Sequence, residues 1–337
     1  MNKEYEKIFN SLKEEKMDDG VNSRVLIIDS LNTFLRAFTV IRHINPQGNH
    51  IGGLTGFLRS LGYVINLVRP TRVVLVFDGQ GGSTNKRYIY PEYKGNRGIN
   101  RVTNWDSFES QQEESESITN QIVRLIYYLK QLPVDLISID KIEADDVIGY
   151  MAGKLDGEIT IMSSDRDFLQ LVNEKVSVYS PIKKKFYDKD MVLTEYGVTT
   201  DNFLTQKILL GDSGDNVPGV RGLGSKTMLK LFPELGSKDE ISLDQILEKC
   251  KIGGKKLHES IVNYEYQLRI NKKLMDLKEP SIPDEAKEEV DSLILHPNKE
   301  FNSTEFINLY NEDNLGNSIA NLPAWLFKHF NQIAKYK

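Results

Sequence analysis

Residues 73–78 read Val-Val-Leu-Val-Phe-Asp, an uninterrupted apolar run that ends in an aspartate. A continuous apolar run of this length, rich in β-branched residues, predicts a strand buried on both faces, as in a parallel sheet. Residues 25–29 repeat the pattern as Val-Leu-Ile-Ile-Asp. Two further apolar runs, residues 136–139 and 159–162, are also followed by acidic residues. Four predicted strands therefore place carboxylates just beyond their carboxyl ends.

Nine acidic residues form five such clusters along the chain. They are Asp29; Asp78; Glu143, Asp145 and Asp146; Asp165 and Asp167; and Asp212 with Asp215, the last two in the turn-rich sequence Gly-Asp-Ser-Gly-Asp-Asn of residues 211–216. In open parallel α/β sheets, ligands bind outside the carboxyl ends of the strands, so four clusters are expected at one edge. Carboxylates so close together repel one another. Divalent magnesium, with manganese as an alternative, would remove that repulsion because both ions prefer oxygen ligands.

Each of these aspartates also has a simpler local interpretation. An aspartate after a strand is commonly a turn former or a helix N-cap. Asp146 and Asp167 are candidates for both roles, because each stands close to the start of a predicted helix, over residues 147–154 and 168–172. The coincidence of four acidic strand ends favours a shared metal site over separate local roles.

Composition is typical of a globular protein with more than one lobe. The 337 residues are 39% hydrophobic and 27% charged, which is enough for two cores. The longest apolar runs are strand-length, so no membrane span is predicted, and residues 1–23 are too charged for a signal-peptide core. Cys250 is the only cysteine in the sequence, which excludes an intrachain disulfide and favours the cytoplasm.

The pattern of apolar residues divides the chain into four segments. Residues 1–23 are predicted to be a polar extension, and the alternation of strands and helices over residues 24–187 predicts a three-layer α/β core with a mainly parallel sheet. Helical spacing covers residues 31–38, 54–68 and 118–132 of this core. Residues 188–285 are predicted to be a helical lobe. Residues 286–337 form an extension without an assigned role, whose last helical stretch is expected to pack on the core rather than to bind a partner.

A long loop is predicted over residues 79–117, where charge is strongly segregated. Although the net charge of the chain is −5, residues 84–101 contain five basic residues and one acid, and residues 106–116 contain five acids. Lys86, Arg87 and Tyr93 belong to the basic half, which combines cations with tyrosines as single-strand nucleic-acid surfaces do. An ordinary solvated surface is the alternative. Because the loop follows Asp78, we expect it to overhang the metal site.

A glycine-rich hairpin is predicted directly after the last pair of acids. Residues 218–227 read Pro-Gly-Val-Arg-Gly-Leu-Gly-Ser-Lys-Thr, and a helix is expected to begin near Ser225. Backbone N–H groups in such a turn can hold a phosphate without reading bases. The predicted contacts are Gly219, Arg221, Gly222, Gly224, Ser225 and Lys226. A glycine-rich turn alone is more often structural, but this one would couple a duplex contact to the metal site.

This ordered set of motifs resembles the 5′-nuclease or flap endonuclease family, which includes the 5′-nuclease domain of bacterial DNA polymerase I and stand-alone bacteriophage enzymes. The matching strings are Ile28-Asp29-Ser30 with Asn32 and Arg36, and residues 76–79, 93–97, 143–149, 163–167 and 211–226. They occur in family order over about residues 24–285. Because no polymerase region is recognisable, a stand-alone, phage-type protein of the host cytoplasm is the expected form.

The resemblance implies a PIN-like core, a helix-three-turn-helix lobe of the helix-hairpin-helix type, and hydrolysis assisted by two magnesium ions. It assigns Asp29, Asp78, Glu143, Asp145 and Asp146 to the first ion, and Asp165, Asp167, Asp212 and Asp215 to the second. Lys94 and Arg97 match a basic pair that acts on the scissile phosphate, and their spacing would place them on one helix face. Arg36 matches a contact to a substrate phosphate, and Tyr93 is a candidate for stacking on the terminal base. A monovalent cation is a further expectation at the hairpin.

The implied activity is that of a 5′-3′ exonuclease and flap endonuclease, which removes RNA primers and 5′ flaps in DNA replication. Expected partners of this monomer are branched or nicked DNA with a 5′ single strand and RNA–DNA hybrids, with a single-strand binding protein or a clamp as further candidates. One alternative is a catalytically weak, DNA-junction-binding replication accessory protein, which the nine acids disfavour. A PIN-type ribonuclease is the other, and the hairpin with its adjacent Asp212 and Asp215 disfavours it.

Overall fold

The computed structural model describes residues 20–98, 103–237 and 239–336. Most of the predicted polar extension, residues 1–19, and Arg101 of the basic segment lie outside these ranges. Within the described ranges, none of the helices combines the length and the apolar character that crossing a bilayer requires.

A six-stranded sheet forms the centre of the first part of the chain. Its strands are β1 (Arg24–Asp29), β2 (Arg72–Asp78), β3 (Asp135–Ile139), β4 (Glu158–Met162), β5 (Val176–Ser180) and β6 (Lys185–Tyr187). The order is β3-β2-β1-β4-β5-β6, and every pairing is parallel except that of β6 with β5. The predicted parallel sheet is therefore confirmed. The strand order reverses at β1, which places a crevice outside the carboxyl ends of β1 and β4.

Five helices follow the first three strands. They are α1 (Ser30–Val40), α2 (Gly52–Val68), α3 (Thr84–Ile89), α4 (Gln111–Leu129) and α5 (Ala144–Lys154). Alternate residues of β1 enter two different cores: Leu26 and Ile28 pack with α1, α2 and α4, whereas Val25 and Ile27 pack with α5. Because both faces of the sheet are covered, the strands read as continuous apolar runs.

Several predicted element boundaries are wrong. Helix α3 lies inside residues 79–117, which were predicted to be a loop, and three other differences involve acidic residues. Helix α4 begins at Gln111 rather than at residue 118, because Ser110 caps it by accepting a hydrogen bond from the Glu113 N–H at 3.2 Å. Helix α5 begins at Ala144 rather than at residue 147. Residues 168–172 do not form an α-helix, since a single 3-10 turn spans Asp167–Leu171. Acids that were counted as loop residues in the sequence thus occupy first helical turns, where the helix dipole favours negative charge.

The remainder of the chain is mainly helical, as predicted. It contains α6 (Lys189–Tyr196), α7 (Thr200–Leu210), α8 (Ser225–Leu231), α9 (Leu243–Ile252), α10 (Lys256–Asn263), α11 (Glu265–Met275) and α12 (Asp284–Leu295). Two short strands, β7 (Gly211–Asp212) and β8 (Val217–Pro218), pair antiparallel and close the acidic turn between them. Gly211 adopts a φ of 71°, and a Cβ atom there would lie 2.3 Å from the Gly219 nitrogen, so this closure requires glycine.

The C-terminal segment packs on the core. Helices α13 (Ser303–Glu312) and α14 (Leu322–Phe330) bury Phe306 and Phe330 in the core that α2 and α4 share. Trp325 of α14 lies against Gly62 of α2, where a Cβ atom would be 2.5 Å from the indole nitrogen. Packing, the favoured interpretation of this segment, is therefore confirmed.

A buried ion pair joins the sheet to the end of α12. Arg72 Nε of β2 lies 2.7 Å from Asp135 Oδ2 of β3, and both side chains are only 3% exposed. The remaining guanidinium nitrogens donate to the backbone carbonyls of Leu293 and Ile294, and Asp135 Oδ1 accepts from the Asn298 N–H. These partners satisfy nearly every polar atom of the pair, which makes its loss costly.

We expect Asp135→Ala to lower the free energy of unfolding by about 3–5 kcal/mol, because it leaves the Arg72 guanidinium buried without its carboxylate. Asp284→Ala is the matched control, since Asp284 forms an exposed, solvent-screened pair with Lys287 and its loss should change stability much less. Denaturant unfolding measures both. Equal losses in the two variants would contradict a structural role for the Arg72–Asp135 pair.

Candidate metal centre

The centre is built first from the ends of β1, β2 and β4. Asp29 caps α1 by accepting from the Asn32 N–H at 3.4 Å, and its other oxygen accepts from the Ser163 hydroxyl beyond β4 at 2.8 Å. Asp78 accepts from the Ala144 N–H at 2.9 Å. Burial raises the pKa of Asp29 to about 7, although the Ser163 hydrogen bond opposes this, and burial also raises the pKa of Asp78. Asp29 thus combines the N-cap role with a place in the acidic cluster.

The first turn of α5 adds the densest group of carboxylates. Glu143, Asp145 and Asp146 each offer an oxygen within 4.8 Å of the others, which is a spacing that one cation could bridge. Burial raises the pKa of Asp146 to about 7, although the neighbouring Lys86 ammonium group opposes this. Held this close at the start of a helix, the three side chains require positive charge to remain ionised together.

Two lysines of the basic segment supply positive charge to this group. Lys86 Nζ lies 2.9 Å from Glu143 Oε2, 3.1 Å from Asp146 Oδ2 and 3.3 Å from Asp145 Oδ1. Lys94 Nζ lies 2.5 Å from the other Glu143 oxygen. Burial alone would raise the pKa of Glu143, but the two ammonium groups outweigh it and lower that pKa. The carboxylates therefore already hold cations, in the form of side chains.

A second group of carboxylates lies between the sheet and the helical lobe. Asp165 accepts from the Asp167 N–H, and Lys207 of α7 contacts both Asp167, at 2.6 Å, and Asp212. Burial, followed by the neighbouring Asp165 charge, raises the pKa of Asp167 to about 7. Lys207 neutralises the carboxylates of this group, as Lys86 does in the first group. One half-buried ammonium group thus joins carboxylates of the two lobes.

Residues at the base of the basic segment hold the acidic turn of the helical lobe in place. The Tyr93 hydroxyl lies 2.9 Å from Glu143 Oε2 and 3.1 Å from Asp215 Oδ2, so it can donate to either carboxylate. The Lys94 N–H donates to the Asp215 carbonyl at 2.8 Å, and the Asn216 side chain donates to the Glu92 carbonyl. The Asp165 N–H also donates to the Ser163 hydroxyl, and the Asp215 N–H donates to Asp212 Oδ1, so all nine predicted acids belong to one connected region.

Two predicted DNA contacts are placed differently from the prediction. Lys86 is only 6% exposed and Tyr93 only 2%, so neither presents a free surface for phosphate binding or base stacking. The prediction treated the basic segment as solvent-facing, but the charge of the carboxylates draws Lys86 inward. Tyr93 is buried because its hydroxyl finds two carboxylate partners, which suits a buried tyrosine. Tyr88 of the same segment is 84% exposed.

The predicted basic pair does not share a helix face. Lys94 has a φ of 55°, outside the helical region, and a 3-10 turn spans Gly95–Gly98 after it. Arg97 belongs to this turn, but its side chain lies outside the described part of the structure. The prediction that Lys94 and Arg97 lie on one face of a helix is therefore wrong.

The other predicted contacts lie at varying distances from the carboxylates. Arg36 of α1 is half-buried and donates to the Pro181 carbonyl at 3.2 Å, and the exposed Arg87 donates to the Tyr93 carbonyl at 3.2 Å. Gly219 packs on the backbone of Leu210, where a Cβ atom would lie 2.0 Å from the carbonyl oxygen, so it is a structural glycine. The remaining hairpin residues are exposed: Arg221, Gly222, Gly224, Ser225 and Lys226.

Sequence reasoning missed Lys207 and Ser163. Lys207 lies in the last turn of α7, five residues before Asp212, and this position beside an acidic turn was the available signal. Ser163 follows β4 and bonds Asp29 across the crevice, which only the strand order reveals. The complete donor set of carboxylate oxygens suits Mg²⁺ or Mn²⁺.

Comparisons with known proteins agree with this architecture. Residues 24–197 match the family described as 5′-3′ exonuclease, N-terminal resolvase-like domain, and residues 198–297 match 5′-3′ exonuclease, C-terminal SAM fold. A 5′-3′ exonuclease of Bacillus subtilis is 31% identical over 267 residues, which cover 76% of this chain and 83% of the relative.

Two further similarities extend these matches. DNA polymerase I of the same organism is 29% identical over 259 residues, 74% of this chain, which span only 27% of that relative's length. A crystal structure of the bacteriophage T5 flap endonuclease, a pseudo-enzyme-product complex with DNA and metal ions, superposes with a TM-score of 0.62 at 18% identity. That alignment covers 93% of this chain and 99% of the other. These similarities confirm the predicted fold, a PIN-like α/β core followed by a helical lobe.

We expect Lys86→Met to lower the stability of the metal-free protein and to increase the stabilisation that Mn²⁺ provides. The variant leaves buried carboxylates without their ammonium partner, which should cost about 3–5 kcal/mol, and a divalent ion no longer has to displace the lysine. Thermal unfolding with and without Mn²⁺ measures both effects. Lys175→Met, an exposed lysine before β5, is the control. A Mn²⁺-induced rise in Tm equal to that of the unsubstituted protein would exclude competition by Lys86.

Stabilisation by Mn²⁺ should weaken as the pH falls from 8 to 6. Asp29, Asp146 and Asp167 have pKa values raised to about 7, so below pH 7 a metal ion must displace protons from them. Stabilisation by Mn²⁺ decreases at low pH because protonation of these raised-pKa carboxyl groups stabilises the metal-free fold and opposes metal binding. Calorimetric titration should show an apparent Kd that rises at least about tenfold per pH unit below 7. A Kd independent of pH over this range would contradict these protonation states.

Proposed function

Because this chain belongs to the 5′-3′ exonuclease family, we propose that it hydrolyses phosphodiester bonds of DNA near the junction of a 5′ single strand with a duplex. The observation that supports this most directly is the set of nine carboxylates that hydrogen bonds and ion pairs connect at the crevice between the lobes, three of which lie close enough to share one cation. The activity would make the protein a 5′-3′ exonuclease and flap endonuclease. Removal of RNA primers and 5′ flaps during replication is the proposed role.

Two groups of side chains would hold the divalent ions. Asp29, Asp78, Glu143, Asp145 and Asp146 would hold the first ion, and Asp165, Asp167, Asp212 and Asp215 would hold the second. Bound ions of this kind lower the pKa of water and neutralise charge on a scissile phosphate. We propose magnesium as the resident ion, with manganese as a substitute, because the donor atoms are oxygens.

Lysines that now neutralise the carboxylates would then be released toward the substrate. Among the described residues, Lys94 forms its ion pair with one Glu143 oxygen, and the side chain is half-buried, so a short movement can bring the ammonium group to a phosphate. Lys94 would neutralise charge that develops on the phosphate, and Arg97 would assist it. Arg36 and Arg87 are proposed contacts for the strand that enters the crevice.

The helical lobe would bind the duplex. Arg221 and Lys226 flank a turn in which Gly222 adopts a φ of 81°, and both cations are exposed. Exposed N–H groups and cations in such a turn contact phosphates without reading bases. The acidic turn that carries Asp212 and Asp215 precedes this hairpin by two residues, so the duplex would be held at a fixed distance from the metal centre. A monovalent cation at the hairpin is part of the proposal.

The two alternative functions, a junction-binding accessory protein and a PIN-type ribonuclease, fit these features less well. An accessory protein that only binds junctions would gain nothing from concentrated negative charge beside a phosphate backbone, and a PIN-type ribonuclease would not need the duplex-binding hairpin. A monomer acting on branched or nicked DNA and on RNA–DNA hybrids is the form that we propose, with a single-strand binding protein or clamp as further partners. Bacteriophage origin and a cytoplasmic location stay predictions.

Cleavage of a 5′-labelled flap substrate tests the proposal. We expect Mg²⁺-dependent cleavage at the junction, its loss in chelator, and a decrease of at least about 100-fold in Asp145→Asn, because that variant removes one carboxylate of the first ion site. Asp156→Asn is the matched control, since Asp156 is an exposed acid beyond the far end of α5. Lys94→Ala should slow single-turnover cleavage much more than it weakens binding.

Cleavage that persists in chelator, or an Asp145→Asn variant as active as Asp156→Asn, would overturn the metal-dependent mechanism. Preferential cleavage of single-stranded RNA over flap DNA would favour the ribonuclease. Tight flap binding by the unsubstituted protein without cleavage would favour the accessory protein.

A further inference from the structure

A second turn rich in glycine and lysine joins α9 to α10. Residues 251–258 read Lys-Ile-Gly-Gly-Lys-Lys-Leu-His, so every charged residue in the turn is basic. Lys251 is neutralised by Glu248, whose Oε1 lies 2.8 Å away. Lys255 and Lys256 are exposed, and neither forms an ion pair with a residue that the structure describes. The turn therefore presents two uncompensated cations at the start of a helix, where backbone N–H groups also face outward.

The turn lies beside the duplex-binding hairpin. A Cβ atom on Gly222 of the hairpin would be 4.0 Å from Leu257 Cδ2, which places the first turn of α10 in contact distance of the hairpin tip. The exposed Arg221 and Lys226 belong to the same part of the lobe. Two basic turns, distant in sequence, thus form one adjoining surface.

A buried histidine packs against the turn and has no hydrogen-bond partner among the described residues. His258 is 7% exposed, and neither of its ring nitrogens has a hydrogen-bond partner among the described residues. Its ring faces Gly253 so closely that a Cβ atom there would lie 1.8 Å from Nδ1. A buried polar group without a partner is costly, and in native structures an ordered water or ion commonly completes it. This feature is independent of the lysines, and it leaves the turn with unused hydrogen-bonding capacity.

We propose that the α9–α10 turn, residues 251–258, is a second phosphate-binding surface, which extends the grip of the helical lobe on duplex DNA. Lys255 and Lys256 contact backbone phosphates beyond those that the hairpin holds, and they read no bases. This inference rests on the proposed function, because that function supplies the duplex. Adjacent contacts of this kind orient a duplex as well as bind it, since a single turn leaves the helix axis free to pivot.

Fluorescence anisotropy with a labelled 5′-flap duplex, in chelator so that no cleavage occurs, tests the inference. The variant Lys255→Gln/Lys256→Gln should bind roughly tenfold or more weakly at low salt, and the slope of log K against log salt should fall by about 1.8, or 0.9 for each lost phosphate contact. Lys130→Gln/Lys328→Gln is the matched control, because it removes two exposed lysines outside the lobe.

Unchanged affinity and slope in the Lys255→Gln/Lys256→Gln variant would overturn the inference. An equal loss of affinity for a single-stranded probe would overturn the assignment to duplex. Cleavage by the unsubstituted protein in Mg²⁺ separates this result from the proposed function. If that protein cleaves the flap while the variant binds normally, only the second surface fails. If the unsubstituted protein does not cleave, but the variant binds the duplex more weakly and with a smaller salt slope, the second phosphate-binding surface is supported and the nuclease proposal fails.

Discussion

Electrostatic repulsion among nine clustered carboxylates is the constraint on which the rest of the structure depends. Carboxylates within a few ångströms of one another cannot all remain charged without cations, and burial increases the penalty. Three lysines meet this requirement: Lys86 and Lys94 at the first group and Lys207 at the second. Burial, together with neighbouring carboxylates, still raises the pKa of Asp29 and Asp167, so compensation by these side chains is partial. A centre that is only partly neutralised is suited to accept divalent ions.

The sheet and the helical lobe share the task of assembling this centre. Parallel strands bring their carboxyl ends to one edge, and the reversal of strand order at β1 opens the crevice there. The lobe adds its acidic turn through contacts that are mostly polar: Tyr93 to Asp215, and Lys207 to both Asp167 and Asp212. The position of the lobe and the charge state of the centre are therefore coupled, because the same lysine that neutralises the carboxylates also joins the two parts.

The sequence predicted those features that depend on residues close together in the chain, and it failed where the interacting residues are far apart in sequence. Strand positions and the acidic strand ends were predicted correctly, since continuous apolar runs depend only on burial of both faces. The start of α4 was predicted too late, because the capping contact of Ser110 was not recognised within an acidic run. Lys86 and Tyr93 were predicted to face the substrate, and both are buried, because carboxylates at least 50 residues away in sequence provide their partners. Composition of a segment does not reveal such distant partners.

The amino-acid sequence by itself determined the layers, the parallel sheet, the nine acids and the family. Each of these follows from a local pattern: apolar periodicity, a residue type at a strand end, or a short motif. Only the tertiary structure decided which cations neutralise which acids, how the acidic turn meets the sheet, and that the turn at Lys255 lies beside the hairpin at Gly222. The physical reason is that electrostatic and packing contacts depend on distance in space, whereas sequence patterns report distance along the chain.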